Sequence, residues 1–278
     1  MSEDEAVAAV RLAVESGVNV IHTSPTYGES CRRVANGIEG LRDRVILNVK
    51  IFGSSAEMAG EQLESSLEML DTDTIDIAQF RITEDLFDGG ISKEGGFGVL
   101  EEAKEAGSVG HIGITDHDPA FLARAIDLVP VSNVLCPLSY VYTDPVQELI
   151  PTAAERDIGF SAMKVLGRGV LKDVPAAIGF VLGKGAANAI IGMSTTREVE
   201  ASLNALDRLP SLSPELEGRL ERKRERLLER YRVSNGALVR GNRGKEMGSS
   251  CPGCGREIDE HSVFCPECGT RNPSFSGV

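Results

Sequence analysis

Four cysteines near the C-terminus carry the most specific chemistry in the chain: Cys251-Pro-Gly-Cys254-Gly and Cys265-Pro-Glu-Cys268-Gly, with ten residues between Cys254 and Cys265. Each Cys-x-x-Cys pair sets two thiolates on one side of a tight turn, and the glycine that follows lets the backbone curl beneath a metal. Two such pairs supply a tetrahedral four-sulfur shell, which suits structural zinc; an iron–tetrathiolate site and two disulfides are the alternatives. A segment this short has almost no core, so metal binding would supply most of its folding free energy, on the order of 10 kcal/mol. His261 lies between the pairs, where four thiolates already fill the shell. Other reactive side chains carry weaker signals. Cys31 and Cys136 stand alone and are expected as buried small hydrophobes. His111 and His117 have no second ligand at metal spacing. The glycine-rich run Asp88 to Gly98 lacks the Lys-Ser/Thr pair of a phosphate loop and is expected to be a flexible loop on the substrate side.

The elements that must position these groups alternate regularly. Val7, Val10 and Val14 recur at helical spacing from Glu3 to Glu15, Gly17 stops the helix, and Val18 to Ile21 has the β-branched content of a buried strand. Further strands are expected at Val45–Val49, Ile75–Phe80, His111–Ile114, Val131–Leu135, Ile158–Ala162 and Ala189–Ile191, with amphipathic helices between them. Asp118-Pro119 and Asp144-Pro145 each read as an N-cap with proline in the first turn. Seven strands and eight crossover helices fit a (β/α)8 TIM-like barrel whose first strand is missing. That strand could be absent, could be replaced by a segment such as Val233 to Val239, or could lie upstream. Ser213-Pro214 opens a charged helix with a thin stripe of Leu216, Leu220 and Leu227, expected on the barrel exterior, and Arg240 to Ser250 reads as a linker. The expected division is therefore a barrel over 1–209, a helix and linker over 210–250, and a metal module over 251–278.

Composition narrows the partners. With 29 Lys plus Arg against 42 Asp plus Glu, the formal charge of −13 repels phosphate backbones and anionic lipid. Nucleic acid is not expected on the barrel. No window approaches the roughly 20 apolar residues of a membrane span, and Ser2 to Glu5 is acidic where a signal peptide would be basic. A cytoplasmic protein is expected.

Several stretches, GVNVIHTSPTYGES, VILNVK, IDIAQFR, GSVGHIGIT, AMKVLGRGVL and IIGMSTTREVEASL, resemble the aldo-keto reductase family in order and spacing from about Glu3 to Leu206. The tail resembles zinc-ribbon modules, which would offer a docking surface to a protein partner. The resemblance implies an oxidoreductase that uses NAD(P)(H) to reduce a small carbonyl or oxidise an alcohol. It places Tyr27 as the general acid and Lys50 as the cation that lowers the phenol's pKa from near 10. Two positions depart from the family: His22 stands where it has an aspartate, and Arg81 where it has a histidine. The first change removes the counter-ion of Lys50. The second adds a permanent charge that could polarise a carbonyl or hold a carboxylate, giving altered chemistry or a barrel that only binds. Thr115 and Asp116 stand at the nicotinamide-amide position, Gly167 and Gly169 at the phosphate turn, and Gly192, Met193, Ser194, Arg197, Glu198 and Ser202 on the adenosine side. Glu198 would repel a 2′-phosphate, which favours NADH over NADPH on charge alone, although Arg197 adjoins it.

Overall fold

The structure is a computed structural model that describes residues 2–52, 55–81, 83–84, 87–92, 94–234, 236–240, 249–255 and 257–258. Seven parallel strands form one sheet in chain order: β1 (Val20–Thr23), β2 (Ile46–Phe52), β3 (Ile75–Arg81), β4 (Val109–Thr115), β5 (Asn133–Pro137), β6 (Gly159–Met163) and β7 (Asn188–Ala189). Helices connect successive strands: α1 (Glu3–Glu15) precedes β1, and α2 (Ser30–Gly37), α3 (Ala56–Leu70), the short α4 (Phe87–Gly90) with α5 (Gly96–Ala106), α6 (Pro119–Ala125), α7 (Leu149–Glu155) and α8 (Val174–Gly183) follow in turn, before α9 (Thr196–Leu206). Strands β2 to β5 are almost wholly buried, which their runs of Val, Ile, Leu and Phe require of a sheet covered on both faces.

Local chemistry sets the helix ends. Asp118 accepts hydrogen bonds from the amides of Ala120 and Phe121 with Pro119 in the first turn, a cap worth about 1 kcal/mol. Asp144-Pro145 does not open a comparable helix: it makes one 3-10 turn, and α7 starts only at Leu149. Pro151 explains the delay, because a helix beginning at Pro145 would hold that proline in its interior, whereas starting at Leu149 keeps it in the first turn. The glycine-rich run is also more ordered than expected at its end, where Gly96 and Gly98 lie within α5 and Phe97 is buried against Phe80; Lys93 lies outside the described residues.

The sheet stays open between β7 and β1, and among the described residues no strand fills that place. Helices α1 and α9 close it from outside through Ala9, Ala13 and Val199, with Leu12, Val18, Met193 and Leu203 packed around them. The Glu5 carboxylate pins the contact by accepting from the Thr196 amide at 2.9 Å and hydroxyl at 3.0 Å. Segment 233–239, a candidate for the missing strand, does something else. It belongs to an antiparallel hairpin, β8 (Tyr231–Ser234) with β9 (Ala237–Arg240), that lies against the C-terminal end of β5 and the turn after β6. Gly236, at φ +67°, sits so close to Pro137 that a Cβ would come within 2.1 Å of the proline Cβ. Leu238 is buried beside Gly167. Before the hairpin, α10 (Pro214–Leu228) buries Leu216 and Leu220 on the barrel exterior, with Leu227 partly buried. Ion pairs Lys184–Glu217, at 2.6 Å, and Lys223–Asp173, at 3.3 Å, flank it. No helix among the described residues is long and apolar enough to cross a membrane.

Of the cysteine module, β10 (Ser249–Ser250) pairs antiparallel with β11 (Glu257–Ile258) around the first Cys-x-x-Cys turn. The Gly253 amide donates to the Cys251 sulfur at 3.3 Å, the Gly255 amide to the Cys251 carbonyl at 2.9 Å, and Gly255 takes φ +72°. That backbone suits a thiolate turn. Cys265, Cys268 and His261 lie outside the described residues, and among those described no group of three or more metal-ligating side chains converges.

Candidate active site

The strand ends of β1, β2, β3 and β4 gather His22, Lys50, Arg81 and Thr115 at one end of the sheet. Tyr27 reaches this cluster from the loop after β1. Ser24 fixes the loop, donating to the Lys50 carbonyl at 2.9 Å and contacting the Thr26 hydroxyl at 2.9 Å, while the Tyr27 amide closes a turn onto Ser24. The Lys50 ammonium donates to the Tyr27 hydroxyl at 2.5 Å and lies 4.5 Å from its ring centroid. The ammonium also lies 5.1 Å from the Phe52 ring centroid. Tyr27 is 45% exposed, as a residue that must meet a ligand can be. Desolvation pushes its pKa up to about 12 against the pull of Arg81, so the phenol stays a protonated donor near neutrality.

His22 lies edge-on to the Tyr27 ring at 6.3 Å and contacts the Asn48 side-chain oxygen through Nδ1 at 3.3 Å. Burial and the charge of Lys50 hold its pKa at about 4, against hydrogen bonds to Asn48 that favour the protonated form. It is therefore neutral, and supplies no replacement for the negative charge of an aspartate.

Arg81 is not a free cation. Its guanidinium pairs with the Asp116 carboxylate, the two side chains being only 4% and 10% exposed. Asp116 also accepts from the amides of His117 at 2.6 Å and Asp118 at 2.8 Å. The arginine at one departing position thus faces the acid at the expected nicotinamide-amide position, so the added positive charge is largely compensated within the fold. Thr115 donates its hydroxyl to the Leu135 carbonyl at 2.8 Å and is fully buried. Both side chains are engaged inside the protein.

A cleft of about 1040 Å³ opens beside this pair, bounded by Arg81, Asp116, His117 and Tyr142 on the barrel and by Val233 and Gly236 of the hairpin. Lys164, which follows β6 at φ +56°, donates to His117 Nε2 at 2.9 Å. Burial and the charges of Lys164, Arg81, Lys50 and Arg168 keep His117 neutral.

The remaining positions singled out from sequence form two groups. Gly167, at φ +55°, and Gly169, at φ +79°, make the tight turn after Lys164, and a Cβ on Gly169 would meet nothing within 4 Å. Gly192 likewise borders open space, Met193 packs on the α1–α9 contact, and Ser194, Arg197 and Glu198 stand around the start of α9, with Ser202 further along the same helix. There Glu198 accepts from the Ser194 amide at 2.7 Å while its own amide bonds to Thr195 at 3.2 Å. That carboxylate serves the helix cap.

Sequence reasoning overlooked Lys164 and His117 as partners, and overlooked Asn48 and Gln79 altogether. The last two carried a legible signal: an amide side chain inside an apolar strand must find a buried partner. The first pair carried none, because a lysine after one strand and a histidine after another meet only when the sheet curls.

The model of the Aldo/keto reductase family matches residues 1–177. L-galactose dehydrogenase of Arabidopsis thaliana is 26% identical over 265 residues, spanning 78% of this chain and 82% of that protein. Among solved structures, a holo aldo-keto reductase from Bacillus halodurans superposes with a TM-score of 0.70 at 19% identity, over 80% of this chain and 87% of that one. An aldo-keto reductase from Klebsiella pneumoniae in complex with NADPH gives a TM-score of 0.69 at 21% identity, over 80% and 85%.

Proposed function

The chain belongs to the aldo/keto reductase family, and on that premise we propose that it is an oxidoreductase that uses NAD(P)(H) to reduce a small carbonyl or oxidise an alcohol. The carrying observation is the 2.5 Å contact between the Lys50 ammonium and the Tyr27 hydroxyl at the strand ends. Bound NAD(P)H supplies the hydride that the carbonyl carbon accepts. Tyr27 gives its proton to the carbonyl oxygen, and the ammonium of Lys50 stabilises the phenolate left behind. With a pKa of about 12 the phenol is fully protonated at neutrality, which suits reduction; alcohol oxidation needs the phenolate and should accelerate as pH rises. Arg81, held by Asp116 at the edge of the cleft, would orient the substrate oxygen.

The residues at hand fit a dinucleotide. Open space beside Gly169 and Gly192 leaves room for phosphates to approach the backbone. Arg168 sits between Gly167 and Gly169, and Arg197 follows Gly192 by five residues, in the first turn of α9. Glu198, capping α9, disfavours a 2′-phosphate and leans the choice towards NADH, although the Klebsiella neighbour was solved with NADPH. Since the Arabidopsis relative is an L-galactose dehydrogenase, a small polyhydroxylated aldehyde is the first substrate to try. Cys251, Cys254, Cys265 and Cys268 would hold a structural zinc, supported by the Cys251 turn and its amide-to-sulfur contact, and the ribbon would dock a protein partner in the cytoplasm.

Titration with NADH and NADPH, followed by cofactor fluorescence, tests the reading. We expect micromolar binding, and Tyr27→Phe to reduce turnover about 10²–10⁴-fold with cofactor affinity kept. Turnover unaffected by Tyr27→Phe would refute the proton donor. Elemental analysis should find about one zinc per chain, lost with Cys251→Ser; zinc-free protein with the same tail stability would remove the metal. A second reading, a barrel that binds without catalysis, is favoured by the Arg81–Asp116 pair, which occupies two positions the resemblance assigns to substrate and nicotinamide. Failure of both cofactors to bind would select it.

A further inference from the structure

A row of hydrogen-bonding side chains crosses the sheet from the partly buried His22, through the buried Asn48 and Gln79, to a backbone carbonyl. His22 Nδ1 lies 3.3 Å from Asn48 Oδ1, Asn48 Nδ2 lies 3.4 Å from Gln79 Oε1, and Gln79 Nε2 lies 2.5 Å from the carbonyl oxygen of Ile114. Asn48 and Gln79 are both fully buried, so water cannot satisfy an amide turned the wrong way. The far end gives the row its direction. A backbone carbonyl only accepts, so the Gln79 atom facing Ile114 must be its NH₂ group, and a reversed amide would set two oxygens 2.5 Å apart. Gln79 therefore turns its oxygen to Asn48, Asn48 answers with its NH₂ group, and the Asn48 oxygen is left facing His22. An oxygen there requires a hydrogen on Nδ1.

Gly113 makes the row possible. Opposite Gln79 in the register of β3 and β4, it leaves the space the glutamine occupies: a Cβ would stand 2.5 Å from Gln79 Oε1 and 2.9 Å from the Asn133 carbonyl.

We propose that the Asn48–Gln79 relay, anchored on the Ile114 carbonyl, locks His22 in its Nδ1–H tautomer, so that Nε2 stands as a lone-pair acceptor beside Tyr27 and Lys50. Asn48 and Gln79 are then positioning residues, and His22 keeps the hydrogen-bond acceptor, though not the charge, of the aspartate it replaces. Part of this rests on the oxidoreductase reading, because only a working Tyr27–Lys50 pair gives the acceptor a task. The tautomer itself does not.

Long-range ¹H–¹⁵N correlation spectra of the ¹⁵N-labelled full chain at pH 7 read the tautomer directly, with the His22 ring assigned by its loss in His22→Gln. A pyrrole-type Nδ1 and a pyridine-type Nε2 are expected; the opposite pattern in the wild-type protein overturns the proposal without any variant. Gln79→Met removes the anchor, and an Nε2–H signal should then appear for His22; retention of pure Nδ1–H would show that the relay does not set it. In carbonyl reduction, Gln79→Met should lower kcat about tenfold with the cofactor KM unchanged, the loss of one oriented hydrogen bond. An unchanged kcat beside an altered tautomer overturns the assignment of a task to Nε2. Absence of turnover even in the wild-type protein would count against the oxidoreductase reading, and the spectra would still decide the tautomer.

Discussion

Two desolvated, partly buried histidines should make this protein lose stability on mild acidification, well above the pH at which ordinary carboxylates titrate. In the folded state the pKa of His22 is held at about 4 and that of His117 lies lower still, both through burial first and nearby cations second. In the unfolded chain both return to about 6.5. Between those values the unfolded state binds more protons than the folded one, so stability falls as pH falls. For a group with pKa about 6.5 unfolded and about 4 folded, lowering pH from 7 to 5 costs about 2 kcal/mol. His117 should cost a similar amount, since over this window its folded pKa lies too low to matter, and the two sum to about 4 kcal/mol. Both side chains are partly accessible, so these figures are upper bounds. Urea unfolding at pH 7, 6 and 5 measures the slope, with His22→Gln and His117→Gln each removing up to half of it. The exposed His111 supplies a control substitution. Equal slopes in wild type and in both variants would refute the assignment of desolvated, neutral imidazoles.

Arg81→Ala should destabilise by about 3–5 kcal/mol in thermal or urea unfolding, because it strands the Asp116 carboxylate in the interior, and adding Asp116→Asn should recover much of that loss. No recovery would mean the two charges do not depend on each other. Gly236→Ala forces a Cβ onto Pro137 at a left-handed backbone position, and should cost about 1–3 kcal/mol while exposing the hairpin to limited proteolysis. An unchanged melting temperature and cleavage pattern would show that the hairpin does not press on the barrel.

The alternation of helix and strand was legible because each strand is an apolar run bounded by polar or turn residues, and β1 to β7 all fall within a few residues of where those runs stand. Asp118-Pro119 was legible for the same local reason, as was the Leu216–Leu220 stripe of α10. Asp144-Pro145 misled because the competing proline lies six residues further on. The fate of 233–239 was not legible either. Its alternation says strand, but a strand pattern does not name its partner, and here β8 pairs with β9 from the same segment. At the site, Tyr27 and Lys50 could be singled out because their neighbours in sequence are distinctive, while Lys164 with His117 could not.

Sequence alone determined which residue types stand at each strand end, since apolar periodicity and turn residues set the elements and bring His22, Lys50, Arg81 and Thr115 to the C-terminal halves of successive strands. Only the tertiary structure decided what each of them faces. Charge compensation of Arg81 by Asp116, neutrality of His22 and the high pKa of Tyr27 arise from desolvation and from pairings across strands. Those energies depend on distance and burial, which no one-dimensional pattern carries.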